Sequence, residues 1–345
     1  MTPPAVITLG ESMILLYPRN VEASLSETEE LVVEVAGADS NFAIAMTRLG
    51  FEAGWISRVG ADPLGERVLK TISREGVDTS QVVLDPDHPT GIYIKYHESS
   101  PSPAPTSHPA GGQGGGSGSR VIYYRRGSAA SHLRPDDLNR DYFANIRVLQ
   151  LSGMTCALSR TCEETVRRAI ELAQERRARI CFDLNLRLQL WSLAKARQVI
   201  GSLLPAVSVL FGSEEEYTQF FDKPSVVDAL IEAHGLGPQT VVAHRGERGA
   251  VALVRGRMVS HPGYRPPKIV DVVGAGDGFN AGFVAAVLRE MGPQEALAIA
   301  NQVGAAAVTT PGDFQGYPSW DDIGRGPAWP EREREGIDWP ERSTG

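Results

Sequence analysis

The chain has only three cysteines, Cys156, Cys162 and Cys181, and none stands in a C-x-x-C pair. That spacing excludes a zinc knuckle and a dithiol redox centre. So odd and sparse a set of thiols fits buried side chains in a reducing compartment. Long apolar runs are also missing. None approaches the roughly 18 residues that a membrane-spanning helix needs. The opening "MTPPAVITLGESM" lacks the basic region and apolar run of a secretory leader. A cytoplasmic, soluble protein is expected. Positive charge is not in excess either: 34 Lys and Arg face 42 Asp and Glu, a net charge of -8. A nucleic-acid binder usually carries a basic stripe, so that class is disfavoured, while local arginines leave room for small anionic substrates. Neither the P-loop spacing nor the dinucleotide fingerprint occurs. There is no internal repeat.

What remains is a chain of 345 residues, 42% hydrophobic and 22% charged, enough for a full core in one large α/β domain or two ordinary ones. Short apolar strands alternate with amphipathic helices. Strands are predicted at 5–10, 53–60, 147–153, 179–185, 206–213 and 240–246, with helices at 41–50, 65–76, 162–177 and 225–235. This order predicts a mostly parallel sheet covered on both faces, with ligands beyond the carboxyl ends of its strands. Residues 12–18, 30–37, 90–97 and 120–127 read as strands without intervening helices, and so as a small separate sheet that could serve as a lid. The low-complexity stretch 98–119 reads as a flexible inserted loop, and the Pro-rich, charged tail 319–345, with Trp329 and Trp339, as disordered or loosely docked.

The densest chemistry lies in "DVVGAGDGFNAGF", 271–283. Three small residues, Gly274, Ala275 and Gly276, run into Asp277 at a helix start. Free N–H groups and the helix dipole favour an anion there, and small residues let a phosphate approach the backbone. A carboxylate beside an anion site would repel the anion, unless Asp277 has a task such as taking a proton from an attacking alcohol. An Asp capping a helix after a glycine turn is the plainer alternative.

At full length, this string resembles the C-terminal signature of the ribokinase-like carbohydrate kinases of the phosphofructokinase-B type, and the similarity runs from about residue 5 to about 318. "VAGADSNFAIAMTRLG" (35–50) resembles the family's N-terminal signature, which implies sugar contacts from Gly37 and Asn41. The helix-free stretches match its lid, giving one kinase domain over 1–318 with a lid from about 12–35 and 88–128. "GSEEE" (212–216) is similar to its N-x-x-E element with Ser213 in place of Asn, implying that Glu216 acts on Mg²⁺ through water. "HRGERG" (244–249) resembles the turn along ATP, with Gly246 and Gly249 in place and His244 where a Lys is usual. Asn301 falls at the adenine contact. Many relatives bind K⁺ near the anion hole, which implies a site at Asp271 and Val273.

Within the family, three segments look like 2-keto-3-deoxygluconate kinase. "VIYYRRGSAAS" (121–131) places Tyr123 and Arg125 on one strand face, suited to a sugar acid. "FDLNLRLQLW" (182–191) carries Asp183, Asn185 and Arg187, read as alternating onto one face at a strand end; Arg187 could meet phosphate or carboxylate. "TTPGDFQGYP" (309–318) implies substrate contact by Asp313. The resemblance thus implies a kinase using ATP and Mg²⁺ on a primary hydroxyl, O6 of 2-keto-3-deoxygluconate first. Another sugar or a nucleoside is the alternative, and a silent binding relative a further one. A homo-oligomer joined through the lid sheet is expected.

Overall fold

Strands with no polar alternation demand burial on both faces, and the inner strands of the main sheet meet that demand, while its two edge strands stay partly exposed. The computed structural model describes residues 3–20, 25–97, 111–113, 119–326 and 329–332. Fourteen strands are described: β1 Val6–Leu9, β2 Met13–Pro18, β3 Leu31–Ala36, β4 Ala53–Gly60, β5 Val82–Asp85, β6 Ile92–His97, β7 Gly111–Gln113, β8 Ser119–Tyr124, β9 Val148–Ser152, β10 Arg179–Asp183, β11 Val209–Ser213, β12 Thr240–His244, β13 Ala250–Val254 and β14 Arg257–His261. Nine form one sheet in the order β14-β13-β12-β11-β10-β9-β1-β4-β5, parallel from β12 to β5. Neighbouring residues of β1 serve opposite faces: Val6 packs into one hydrophobic cluster and Ile7 into the other. Helices α1 (Ala38–Arg48), α2 (Ala275–Leu288) and α3 (Pro293–Ala307) cover the first face. The other face lies under Arg160–Glu175, Leu193–Leu203 and Val226–Gly235.

The sequence reading missed the hairpin β13–β14, which ends the sheet antiparallel to β12. Its two-residue turn, Arg255-Gly256, has φ of 49° and 77°. Arg-Gly is an unusual pair for such a turn, so the usual Asn-Gly or Asp-Gly signal was missing.

The remaining five strands make a second sheet in the order β3-β2-β6-β8-β7. This is the lid, and its inner face is Met13, Leu15, Ala36, Tyr93 and Val121, flanked by Tyr17 and Tyr123. Two expectations change. Within the loop expected at 98–119, residues 111–113 pair with β8 as a strand; 98–110 and 114–118 lie outside the described residues. The tail expected to be loose at 319–345 begins as a short helix, Trp320–Gly324, capped by Ser319 and held to the body by Trp320 beneath the Arg289 guanidinium. Trp339 lies outside the described residues.

Candidate active site

The glycine turn sets the geometry. Gly274 has φ of 78° and is the N-cap of α2; a Cβ there would collide with the Asp313 carbonyl oxygen, so only glycine fits. Ala275 and Gly276 are the first two helical residues and Asp277 the third. Asp277 does not cap the helix: the N-cap residue is Gly274, and no side chain caps this end. Instead the Asp277 carboxylate accepts a hydrogen bond from Asn41 Nδ2 at 2.9 Å and lines a cavity of about 440 Å³ between lid and sheet. That arrangement favours the chemical reading of Asp277 over the capping one.

The cavity gathers residues far apart in sequence. Gly37, Asn41, Tyr123, Arg125, Asp183, Asn185, Arg187, Ser213, Glu216, His244, Val273, Gly274, Gly276, Asp277 and Asp313 all line it. Asn41 sits in the first turn of α1, buried, and its Nδ2 spans Asp277 and Asp313, the latter at 3.4 Å. Its Oδ1 has no hydrogen-bond partner among the described residues, so it is free to accept a ligand hydroxyl. Tyr93 of the lid lies with its hydroxyl 3.2 Å from both Asp313 oxygens.

Asp183, Asn185 and Arg187 do meet the cavity, but not by strand alternation. β10 ends at Asp183, and Asn185 and Arg187 follow in a loop with φ of 31° and 38°. Two non-glycine residues in the left-handed region are strain held by their surroundings, a pattern common at functional sites. Part of that hold is Glu216, whose Oε1 accepts from Leu186 N at 2.9 Å and whose Oε2 accepts from Ser213 N at 2.9 Å.

Burial pushes the carboxyl groups up. Asp183 is raised to about 7, by desolvation and then by Glu216, and Asp313 to about 6, by desolvation and then by Asp271. Asp277 is raised well above the usual carboxylate range by desolvation, with Asn41 pulling the other way. Burial lowers His244, so it is neutral at pH 7 and brings no cation in place of the Lys.

Two of the expected site residues are ion-paired within the protein. Arg125 is not a free cation: its guanidinium forms an ion pair with Glu11, which is fully buried and also accepts from Ser128 Oγ. The Asp271 carboxylate is likewise paired within the protein. The ammonium of Lys95, from the lid strand β6, sits on its carboxylate, which also accepts from Val273 N at 3.0 Å. Neither Glu11 nor Lys95 was singled out in the sequence, and no local signal marks them. Among the described residues, no group of three or more His, Cys, Asp or Glu side chains is arranged to hold a metal. Glu216, its oxygens engaged by backbone amides, fits contact with a metal through water.

A second cavity, about 290 Å³, adjoins the first at His244, Val272 and Gly276. Its walls are largely apolar, with Ile269, Phe279 and Val308 facing Gly246 and Gly249, and Asn301 at its edge. Gly246 and Gly249 have φ of 57° and 76°, and a Cβ on Gly249 would strike the His261 carbonyl. Ala275 lines this side too.

A polar pit under a lid and an apolar cleft, meeting at a helix N-terminus beside a carboxylate, are the marks of a two-substrate group-transfer enzyme. Comparison makes the class specific. The pfkB family carbohydrate kinase profile matches residues 4–101 and 112–320. The chain is 34% identical to a 2-dehydro-3-deoxygalactonokinase of Haloferax volcanii, over 90% of this chain and 92% of that one. It is 30% identical to a 2-dehydro-3-deoxygluconokinase of Bacillus subtilis, over 91% and 92%. A PfkB protein from Polaromonas sp. JS666 superposes with a TM-score of 0.79 at 30% identity, covering 93% of this chain and 99% of that one. The chain belongs to the PfkB family of carbohydrate kinases, and it is an enzyme of that type.

Proposed function

We propose that the protein transfers the γ-phosphoryl group of ATP to the primary hydroxyl of a 2-keto-3-deoxy sugar acid, 2-keto-3-deoxygluconate at O6. The observation that carries the reading is Asp277, a helical carboxylate that caps nothing and faces the polar cavity beside the glycine turn. The sugar lies under the lid, its hydroxyls against Asn41 Oδ1 and Asp313. Asp277 takes the proton as the hydroxyl oxygen attacks; burial raises its affinity for a proton, and the hydrogen bond from Asn41 favours the charged form that acts as the base. The backbone N–H groups of Gly274, Ala275 and Gly276 meet the charge on the phosphoryl oxygens, aided by the helix dipole. Arg187, solvent-exposed at the cavity wall, draws the anionic groups together. Glu216 would hold the water of an Mg²⁺ ion bound with the nucleotide, which would supply charge neutralisation at the phosphates.

Support for an acid comes from the lid. Arg125 Nε is buried with no hydrogen-bond partner among the described residues. Glu11 holds the guanidinium in place, and Nε is a donor left for a substrate carboxylate, beside the ring of Tyr123. The apolar cleft takes the nucleoside of ATP, against Gly246, Gly249 and Asn301.

A coupled ADP-release assay with ATP and Mg²⁺ tests the reading. The panel is 2-keto-3-deoxygluconate, its galactonate epimer, gluconate, fructose, ribose and adenosine. Turnover confined to the two keto-deoxy acids is expected. Turnover on a neutral sugar alone would remove the carboxylate role from Arg125 while keeping Asp277 as base.

A further inference from the structure

Beyond the helix Trp320–Gly324 the chain returns to the body at Trp329–Arg332. Glu331 bridges antiparallel to Tyr264, with Arg265 N donating to Pro330 O at 3.1 Å and Arg332 N donating to Gly263 O at 3.0 Å. These residues lie outside the part of the chain that matches the family profile. The loop they grip, 263–266, is a wall of the apolar cleft, and Arg332 itself lines that cleft.

We propose that this returning segment is part of the nucleotide site and that Arg332 holds the nucleoside portion of the bound nucleotide; this rests on reading the apolar cleft as the nucleotide cleft. The guanidinium is aimed by its own backbone and side chain together. Arg332 Nε donates to Tyr264 O at 3.1 Å, which fixes the plane, and Nη1 lies 3.3 Å from Glu247 Oε2. Glu247 is 64% exposed, so this pair is weakly held and readily exchanged. A planar guanidinium at the rim of an apolar slot, its Nη1 held only by an exposed acid, suits a heteroaromatic base, by stacking, and the ribose hydroxyls, by hydrogen bonding.

Glu331 makes a second connection. His261, almost wholly buried, receives a hydrogen bond at Nδ1 from Gly263 N at 3.0 Å, so that nitrogen is the acceptor and the proton sits on Nε2. Nε2 faces Glu331 Oε1 at 3.5 Å. Asn301 Nδ2 lies 3.3 Å from the same Nδ1. Asn301 Nδ2 also donates to Leu297 O at 2.8 Å, so the segment, through one imidazole, shares with helix α3 in orienting the Asn of the cleft. Arg332 is the contacting residue and Glu331 a positioning one.

The test is steady-state kinetics, varying ATP and sugar separately, together with calorimetric titration of MgADP, on full-length variants. Arg332→Ala should raise both KM for ATP and Kd for MgADP at least fivefold, leaving KM for the sugar unmoved. Glu331→Ala should move the same two constants by a smaller factor, and Glu331→Gln should restore part of the loss. Arg325→Ala, on the exposed turn before the segment, should change neither. Wild-type MgADP affinity in Arg332→Ala, or a loss confined to melting temperature or to the sugar KM, would overturn the proposal while leaving the cleft assignment intact. Gly304→Leu, which fills the cleft from α3, separates the other failure. Unchanged MgADP affinity there would remove the cleft assignment and the role of the segment with it.

Discussion

The two cavities share the glycine turn and are built on opposite principles. The one under the lid is crowded with ionisable groups: Asp183, Asp277, Asp313, Arg125 and Arg187. The one beyond Gly276 is walled by Ile269, Val272, Phe279 and Val308, with small residues Gly246, Gly249, Ala275 and Gly304 making room. A polyhydroxy acid can be told from water only by many directed polar contacts. A planar ring is held by apolar area and shape, and needs few. The polar side keeps its charges in a stalled state: carboxyl groups raised by burial, and Arg125 and Lys95 each matched to an internal acid. That side stores the electrostatic work, and the apolar side supplies position.

The comparison predicts which variants lose chemistry and which lose binding. The largest effect belongs to Asp277→Asn. It should fold, with a melting temperature at or above wild type because a buried carboxyl is removed, yet lose on the order of 10²–10⁴ in kcat with both KM values kept. Near-normal turnover would erase the asymmetry between the cavities. Next comes Arg125→Ala, which strands the carboxylate of Glu11 in the core. Removing one partner of a buried pair costs about 3–5 kcal/mol, to be read as a fall in chemical-denaturation stability, and Glu11→Gln combined with it should recover much of the loss.

A smaller effect tests the carboxyl groups. The folded state keeps Asp39 and Asp183 protonated up to about 7 and Asp313 up to about 6, against an ordinary value near 4. Between those limits the native state binds more protons than the unfolded chain. The unfolding free energy therefore falls as pH rises from about 4 to about 7. The ligand-free enzyme should melt higher at pH 5 than at pH 8. Asp39→Asn should flatten the slope; its carboxylate accepts from Ser152 and Thr155 at 3.1 Å and lies outside the reacting cavity. The smallest effect is His244→Gln. A neutral imidazole contributes no charge to the phosphates, so kcat should stay within about threefold, and a larger loss would give that ring a direct role.

Some of this was legible in the linear order. Gly274 must be glycine because of its own φ and the backbone packed against it, and such constraints leave a local signature. Runs such as "VITL" and "VLQLS" state their burial without any partner being known. The loop at Asn185 and Arg187 was harder, since positive φ at Asn and Arg is imposed by packing and has no reliable sequence mark. The pairs Glu11–Arg125 and Lys95–Asp271 were invisible, because an acid and a base 114 or 176 positions apart carry nothing that names each other.

By itself, then, the sequence determined the local decisions: strand or helix from periodicity, the glycine turn from small residues before a helix, and the candidate base within it. The tertiary structure decided everything that depends on what stands opposite. It turned Asp277 away from its own helix end and toward Asn41, matched Arg125 and Lys95 to internal acids, and brought Arg332 back against the loop 263–266. Backbone preference is a property of each residue and its neighbours. Charge compensation and burial belong to surfaces that meet only when the chain has closed.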